Sequence, residues 1–288
     1  MKDGKLGVCL IGCGFMGGIH AERWQILPQA EIVAVVDILE ERAQAFADRH
    51  QLKRYYTDYR QAVVSPDVDV VSVCTPTCVH AEMSIFCVEH GKHVLCEKPM
   101  ALTLEQAQHM LTAAAEHPTH LGIGFMRRHS PVLHRLRQEL TSGKIARPVI
   151  YTASDIRQVR PKLAMHDPQQ NGGPVIDMAV HLIDTWRYVF QSEPVYVYAQ
   201  GLKLAKGRPE LASLPSLAID SAVITVTFAS GDIGNFNVCW GLPPGVNPNG
   251  SPDQIVSPHG VAQIHWSMNQ QSLRWMSEGG EWQILADS

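Results

Sequence analysis

Three groups of residues have types and spacings that could do chemistry. Gly12-Cys-Gly14-Phe-Met-Gly17 follows directly on the apolar run Leu6 to Ile11. A glycine turn between strand and helix brings backbone N–H groups and a helix amino terminus up to a phosphate. In that reading Gly12 permits the tight turn, Gly14 lets a pyrophosphate approach, Gly17 lets the helix pack on the strand, and Phe15 and Met16 complete the turn. Glu97-Lys98-Pro99 closes a second apolar run, His93 to Cys96, and sets a carboxylate beside an ammonium where Pro99 stiffens the backbone. A cis bond at Pro99 would aim the lysine. Asp177-x3-His181-x2-Asp184 puts a base and two carboxylates on one helical face, with Pro174 in the first turn. The surrounding residues Val175 to Trp186 are apolar except Thr185, so the three form a narrow polar stripe, which suits a helix lining a solvent-filled cleft. The alternatives are a loop lysine paired with Glu97 and a core histidine paired with Asp177.

The elements needed to position these groups are legible around them. A second apolar run, Glu31 to Val36, ends in Asp37, twenty positions beyond Gly17, where a carboxylate accepts hydrogen bonds from ribose hydroxyls. Such an acid repels a 2'-phosphate, and neither Ile38 nor Leu39 offers a cation, so the expected cofactor is NAD rather than NADP. The other role open to Asp37 is a cap on the helix from Leu39. Through about residue 125 helix-period and strand-like segments alternate: helices near 19–27, 39–50, 58–64, 81–90 and 103–116, strands near 31–36, 55, 68–74, 93–96 and 121–125. This predicts parallel strands with crossover helices. Thr75, Pro76 and His80 follow the strand Val68 to Cys74, so the glycine turn, Thr75 and Glu97-Lys98 should meet where an open parallel sheet binds ligands, outside the carboxyl ends of its strands.

Beyond Phe125 the rhythm changes. Helices 131–140 and 174–190 and strand 149–156 lead to runs at 195–199, 221–228, 233–240, 261–268, 272–276 and 282–285, which predict a largely antiparallel sheet with helices on one face. The expected domains are 1–122, a doubly wound Rossmann sheet, and 123–288, an α+β domain with an open-faced sheet. Phe236, Trp240, Trp266 and Trp275 suggest self-association through the open face. The Pro- and Gly-rich stretch Leu242 to His259 predicts a long mobile loop near the cleft.

Composition excludes several classes. A chain of 288 residues with 45% hydrophobic and 18% charged residues is an ordinary globular protein of two domains. A net charge of -4 gives no general attraction to nucleic acid or anionic membrane. Lys2 and Lys5 before Leu6 to Gly18 imitate a secretory signal, but Asp3 interrupts it and the glycine motif accounts for the run. No stretch is apolar for the length of a membrane span, and the expected compartment is the cytoplasm. The seven cysteines read as reduced thiols; the C-x3-C pairs Cys9/Cys13 and Cys74/Cys78 each straddle a strand and a turn, poor geometry for zinc, so no metal is expected.

In order along the chain, Gly12-Cys-Gly14-Phe-Met-Gly17 with His20-Ala21, Thr75-Pro76 with His80, Glu97-Lys98-Pro99, Gly124-Phe-Met-Arg127-Arg128 and Asp177-x3-His181-x2-Asp184 resemble the glucose-fructose oxidoreductase and inositol dehydrogenase family, Gfo/Idh/MocA. The resemblance covers nearly the whole chain. It implies reversible oxidation of a sugar, cyclitol or related polyol hydroxyl, with homodimers or homotetramers formed through the carboxyl-terminal sheet. By position it makes Lys98, Asp177 and His181 catalytic, gives Glu97 the cofactor or its nicotinamide ribose, and puts Arg127 on cofactor or substrate. The chemistry suits those types: a neutral histidine can accept the hydroxyl proton, Lys98 can stabilise the developing alkoxide, and the two roles can be exchanged. Asp177 would orient the histidine or bind a neighbouring hydroxyl.

Inositol dehydrogenases usually carry His-Arg-Asn-Pro on the strand after the interdomain helix. Here the region runs from Asp155 to Asp167 without it, so myo-inositol is not implied. Asp155, Arg157 and His166, with Arg160 and Lys162, are the candidates for binding a polar or acidic sugar, and a solvated basic face is the equal alternative. The resemblance also implies further residues after the segment Trp275 to Leu285, so the carboxyl end is either compact or shortened. Two other functions remain open: a redox-neutral NAD-using sugar enzyme, whether glycosidase or sugar–sugar oxidoreductase, and a non-catalytic NAD-binding regulator.

Overall fold

A computed structural model describes residues 4–248, 250–266 and 270–288. The chain divides into two compact units, Met1–Gly124 and Phe125–Ser288.

The first unit alternates as its sequence dictates: β1 (Leu6–Ile11), α1 (Phe15–Gln25), β2 (Ala30–Val36), α2 (Glu40–Arg49), β3 (Tyr55–Tyr56), α3 (Tyr59–Val63), β4 (Val70–Val73), α4 (His80–Glu89), β5 (His93–Cys96), α5 (Leu104–Glu116) and β6 (Leu121–Ile123). All strand pairs are parallel, in the order β3-β2-β1-β4-β5-β6. Both faces of such a sheet are covered by helices, which is why β1 and β4 are almost wholly apolar and buried. The order reverses between β1 and β4, the switch point at whose carboxyl ends open parallel sheets take their ligands. Local chemistry sets the helix starts: Asp58 caps α3 through Arg60 N, and Thr103 with Gln106 forms a capping box on α5. Helix α1 starts at Phe15, four residues earlier than its periodicity suggested, because the glycine turn itself opens the helix.

The second unit comprises α6 (Pro131–Thr141), β7 (Ile150–Gln158), α7 (Gly173–Phe190), β8 (Pro194–Leu202), β9 (Ser221–Phe228), β10 (Ile233–Leu242), β11 (Asp253–Ser257), β12 (Gly260–His265), β13 (Ser272–Met276) and β14 (Trp282–Asp287). Its eight-stranded sheet has the order β14-β13-β12-β11-β7-β10-β9-β8, and β7 with β10 is its one parallel pair among the described residues.

Three expectations need correction. The stretch 242–259 is not one long loop, because it contains β11, which joins β7 to β12. Phe236, Trp240 and Trp275 do not face outward; they are buried, and Phe236 and Trp275 pack with Leu182, Trp186 and Phe190 of α7. The strand expected over 261–268 is paired through His265, and Met268 lies outside the described residues. In register on the face opposite that core stand Ile233, Ile150, Val256, Val261, Met276 and Trp282, an apolar row across β10, β7, β11, β12, β13 and β14.

Candidate functional site

Gly12 leaves β1 with φ +101, a conformation that L side chains avoid, and an added Cβ would stand 2.6 Å from Cys74 O. A Cβ on Gly17 would reach within 1.9 Å of Gly12 O, so the turn closes only on glycine. At Gly14 a Cβ would meet nothing within 4 Å. Gly14 is also the N-cap of α1 and no side chain caps that helix, so its first N–H groups lack internal acceptors beside open space. Phe15 is exposed and Met16 half-buried next to it. These features fit a dinucleotide pyrophosphate, the group that backbone donors and a helix dipole would hold there.

Asp37 ends β2 and is buried. Its Oδ2 accepts from Cys13 N at 3.1 Å and its Oδ1 from Leu39 N at 3.0 Å, so one carboxylate both braces the glycine turn and caps the next segment. Arg42 in α2 brings Nη1 to 3.5 Å from Asp37 Oδ2, a cation the sequence reading had placed nowhere. Asp37→Asn keeps the shape but removes the charge that repels a 2'-phosphate and holds Arg42. Its expected result is a rise in NADP use relative to NAD of about tenfold, read from kcat/KM for the two cofactors; an unchanged ratio would mean that Asp37 does not set the preference.

At the end of β4, Thr75 and Pro76 are half-buried and lead into His80. His80 is buried with Nδ1 2.8 Å from Pro99 O and Nε2 3.0 Å from Thr75 O, so its ring ties the two turns together and reaches a ligand only through them. Lys98–Pro99 is a cis peptide, and Lys98 is half-buried. The Glu97 carboxylate takes His20 Nε2 at 2.9 Å on Oε1 and Lys98 N at 3.2 Å on Oε2. The first unit thus brings the glycine turn, Asp37, Thr75, Glu97 and Lys98 to the carboxyl ends of one parallel sheet.

In the second unit Asp177 is buried on α7 with His181 half-buried one turn later. The stripe's third member does a different job: Asp184 holds Arg128, with Arg128 Nε 2.9 Å from Oδ2 and Nη2 2.6 Å from Oδ1, and so anchors the turn Met126–His129 to α7. Arg127 on that turn stacks 4.8 Å from the Trp266 ring, and its Nη1 has no hydrogen-bond partner among the described residues. Asp155 accepts from Trp240 Nε1 at 2.7 Å and pairs with Arg157. His166 is fully buried, its Nε2 accepting from Arg160 N at 2.9 Å, so it orders the segment before α7 from within.

Burial sets the titration of several of these groups. Desolvation pulls His80 and His166 below the usual 6.5, against carbonyl contacts that favour the charged ring. A depressed histidine pKa means that the unfolded chain binds more protons from about 6.5 downward, so stability falls with falling pH in that window. Denaturation midpoints should therefore drop between about pH 7.5 and about pH 5.5, and His166→Asn should flatten the slope; equal slopes in variant and parent would count against this source. Desolvation also pushes the Cys13 thiol, which sits in the glycine turn beside Asp37, up to about 12.

A doubly wound parallel sheet with a glycine turn after its first strand and an acid closing its second, followed by a second unit built on a mixed sheet, is the architecture of the Rossmann dinucleotide-binding class. Residues 6–125 match the oxidoreductase family described as having an NAD-binding Rossmann fold, and residues 133–253 match the GFO/IDH/MocA carboxyl-terminal domain. The chain belongs to the Gfo/Idh/MocA family. Among its relatives are the uncharacterized oxidoreductase YrbE of Bacillus subtilis (34% identical, over 77% of this chain and 63% of that protein) and a myo-inositol 2-dehydrogenase of Thermotoga maritima (30%, over 80% and 66%). The chain thus spans less than two thirds of each of these relatives. A levoglucosan dehydrogenase solved with NADH has the same fold at 23% identity, with a TM-score of 0.85 over 97% of this chain and 79% of that one.

Proposed function

We propose that this chain transfers a hydride between a sugar, cyclitol or related polyol hydroxyl and NAD. Support comes from the family and from relatives named for acting on inositols and glucosides. The observation that carries the reading is the carboxyl edge of the first sheet, where a glycine turn open at Gly14 lies in one sheet with Glu97-Lys98-Pro99 at the end of β5.

NAD supplies the hydride acceptor. The chain's own residues must move a proton and carry charge. His181 takes the hydroxyl proton, and the Lys98 ammonium stabilises the negative charge that grows on oxygen, with their exchange as the other assignment. Asp177, four residues before His181 on α7, orients the ring or binds a neighbouring hydroxyl. Glu97 serves the nicotinamide half of the cofactor, while Gly12, Gly14, Phe15, Met16, Gly17, Asp37, Thr75 and Pro76 hold the rest and His80 supports their turns. Arg127 is given to cofactor or substrate by its place in the motif Gly124-Phe-Met-Arg127-Arg128. Arg157 and Asp155 border the substrate, with His166 behind them.

No helix among the described residues is long and apolar enough to cross a membrane. The described cysteines are all free. The apolar row from Ile233 to Trp282 is the surface through which a second copy would bind, giving a dimer or tetramer. The test is NADH absorbance with a panel of sugars, inositols, sugar acids and deoxy sugars, offered with NAD and with NADP. A signal with NAD supports the reading. Silence across the panel from a chain that still binds NAD would move it to a redox-neutral enzyme or a regulator.

A further inference from the structure

Four side chains of the first unit form one continuous hydrogen-bonded line. Trp24 Nε1 is 3.0 Å from Ser72 Oγ, Ser72 Oγ is 3.0 Å from His20 Nδ1, and His20 Nε2 is 2.9 Å from Glu97 Oε1. His20 and Trp24 lie four apart on α1 and share a face. Ser72 is fully buried on β4 and Glu97 is 8% exposed after β5. The groups themselves fix the direction of the line. An indole N–H only donates, so Ser72 Oγ accepts from Trp24. Among the described residues the other partner of the hydroxyl is His20 Nδ1, and the hydroxyl hydrogen finds an acceptor in the line only if Nδ1 carries a lone pair. The ring proton then sits on Nε2 and is donated to Glu97 Oε1. At the far end Glu97 Oε2 takes Lys98 N, and a Cβ on Gly124 would crowd Oε1 at 3.3 Å.

We propose that Trp24, Ser72 and His20 are positioning residues: a one-way relay, with His20 as the neutral Nε2–H tautomer, that aims the Glu97 carboxylate at the nicotinamide half of the dinucleotide. The proposal rests on the cofactor role given to Glu97 above. The line starts in the last turn of α1, the helix that the glycine turn opens, and ends at the carboxylate next to Lys98. It also has a single proton arrangement in which every donor meets an acceptor. Removing the central hydroxyl takes the partner from two half-buried groups, Trp24 Nε1 and His20 Nδ1, and frees both the ring and the carboxylate to turn.

The test uses the full chain. Nitrogen-detected NMR of the cofactor-free protein at mildly alkaline pH, with His20 assigned from a His20→Asn spectrum, should show the Nε2–H tautomer. Ser72→Ala should weaken NAD binding about five- to tenfold while ADP, which lacks the nicotinamide half, binds within about twofold of the parent; Ser72→Thr, which keeps the hydroxyl, should restore NAD affinity. A structural loss alone would weaken both nucleotides together. An Nδ1–H tautomer or a charged ring in the parent overturns the relay, as does an equal loss of NAD and ADP in Ser72→Ala. A parent that shows the tautomer but binds ADP and NAD equally well overturns instead the nicotinamide role of Glu97.

Discussion

Lys98→Ala is expected to cut turnover by about 10²–10³-fold or more while NAD affinity stays within a few fold. The reason lies in where the charge is needed. Hydride leaves carbon as the hydroxyl proton leaves oxygen, and any lag between the two puts negative charge on that oxygen. A fixed ammonium, kept from water, stabilises that charge in the transition state far more than the neutral ground state, so its loss appears in kcat rather than in binding. Lys98 suits the part: it is half-buried, follows a buried strand and precedes Pro99, and its own backbone N–H is held by Glu97 Oε2. In the proposed assignment the adenosine and pyrophosphate ends of the cofactor fall to Asp37 and the glycine turn, which the substitution leaves alone. Steady-state rates with a substrate found in the panel, together with calorimetric titration of NAD, check both halves. A variant that loses NAD binding would make Lys98 a cofactor ligand and leave the oxygen without its cation.

What the sequence made legible is what chemistry writes locally. The glycine turn, the acid closing β2 and the alternation of elements through residue 125 each depend on neighbours a few positions apart, and each appears where its pattern predicts. The pairs that order the site do not have that property. His20 meets Glu97 across 77 positions and Arg128 meets Asp184 across 56, so only the folded chain brings them together. Arg42 is closer in sequence, five residues after Asp37 in the first turn of α2, and it is the helix that turns it back to the carboxylate. β11 was hidden for another reason. It is short, follows a Pro- and Gly-rich stretch, and puts Asp253 at a buried position where an apolar residue was the natural expectation. That carboxylate is tolerated because Tyr151 Oη and Trp266 Nε1 both donate to its Oδ2, at 2.8 and 2.7 Å. The outward placement of Phe236 and Trp240 failed on parity: alternation shows which residues share a face but not which face α7 covers.

His181→Ala should lower turnover by about 10²–10⁴-fold, the range for removing a positioned acid–base group, with NAD affinity little changed because the residue lies outside the unit that carries the glycine turn. The loss should shrink as pH rises, since hydroxide and solvent take over part of the proton transfer, whereas loss of a residue that only holds α7 together would be the same at every pH. Neighbouring Asp184 supplies the contrast: it spends both oxygens on Arg128, so Asp184→Asn should act on stability before it acts on rate. The double variant Lys98→Ala/His181→Ala then separates two readings of the single losses. Groups that serve the same chemical step fail as a unit, so the double variant should lose little more than the worse single one. Losses that multiply in full would mean independent contributions, and the assignment of proton transfer and charge stabilisation to one step would fall.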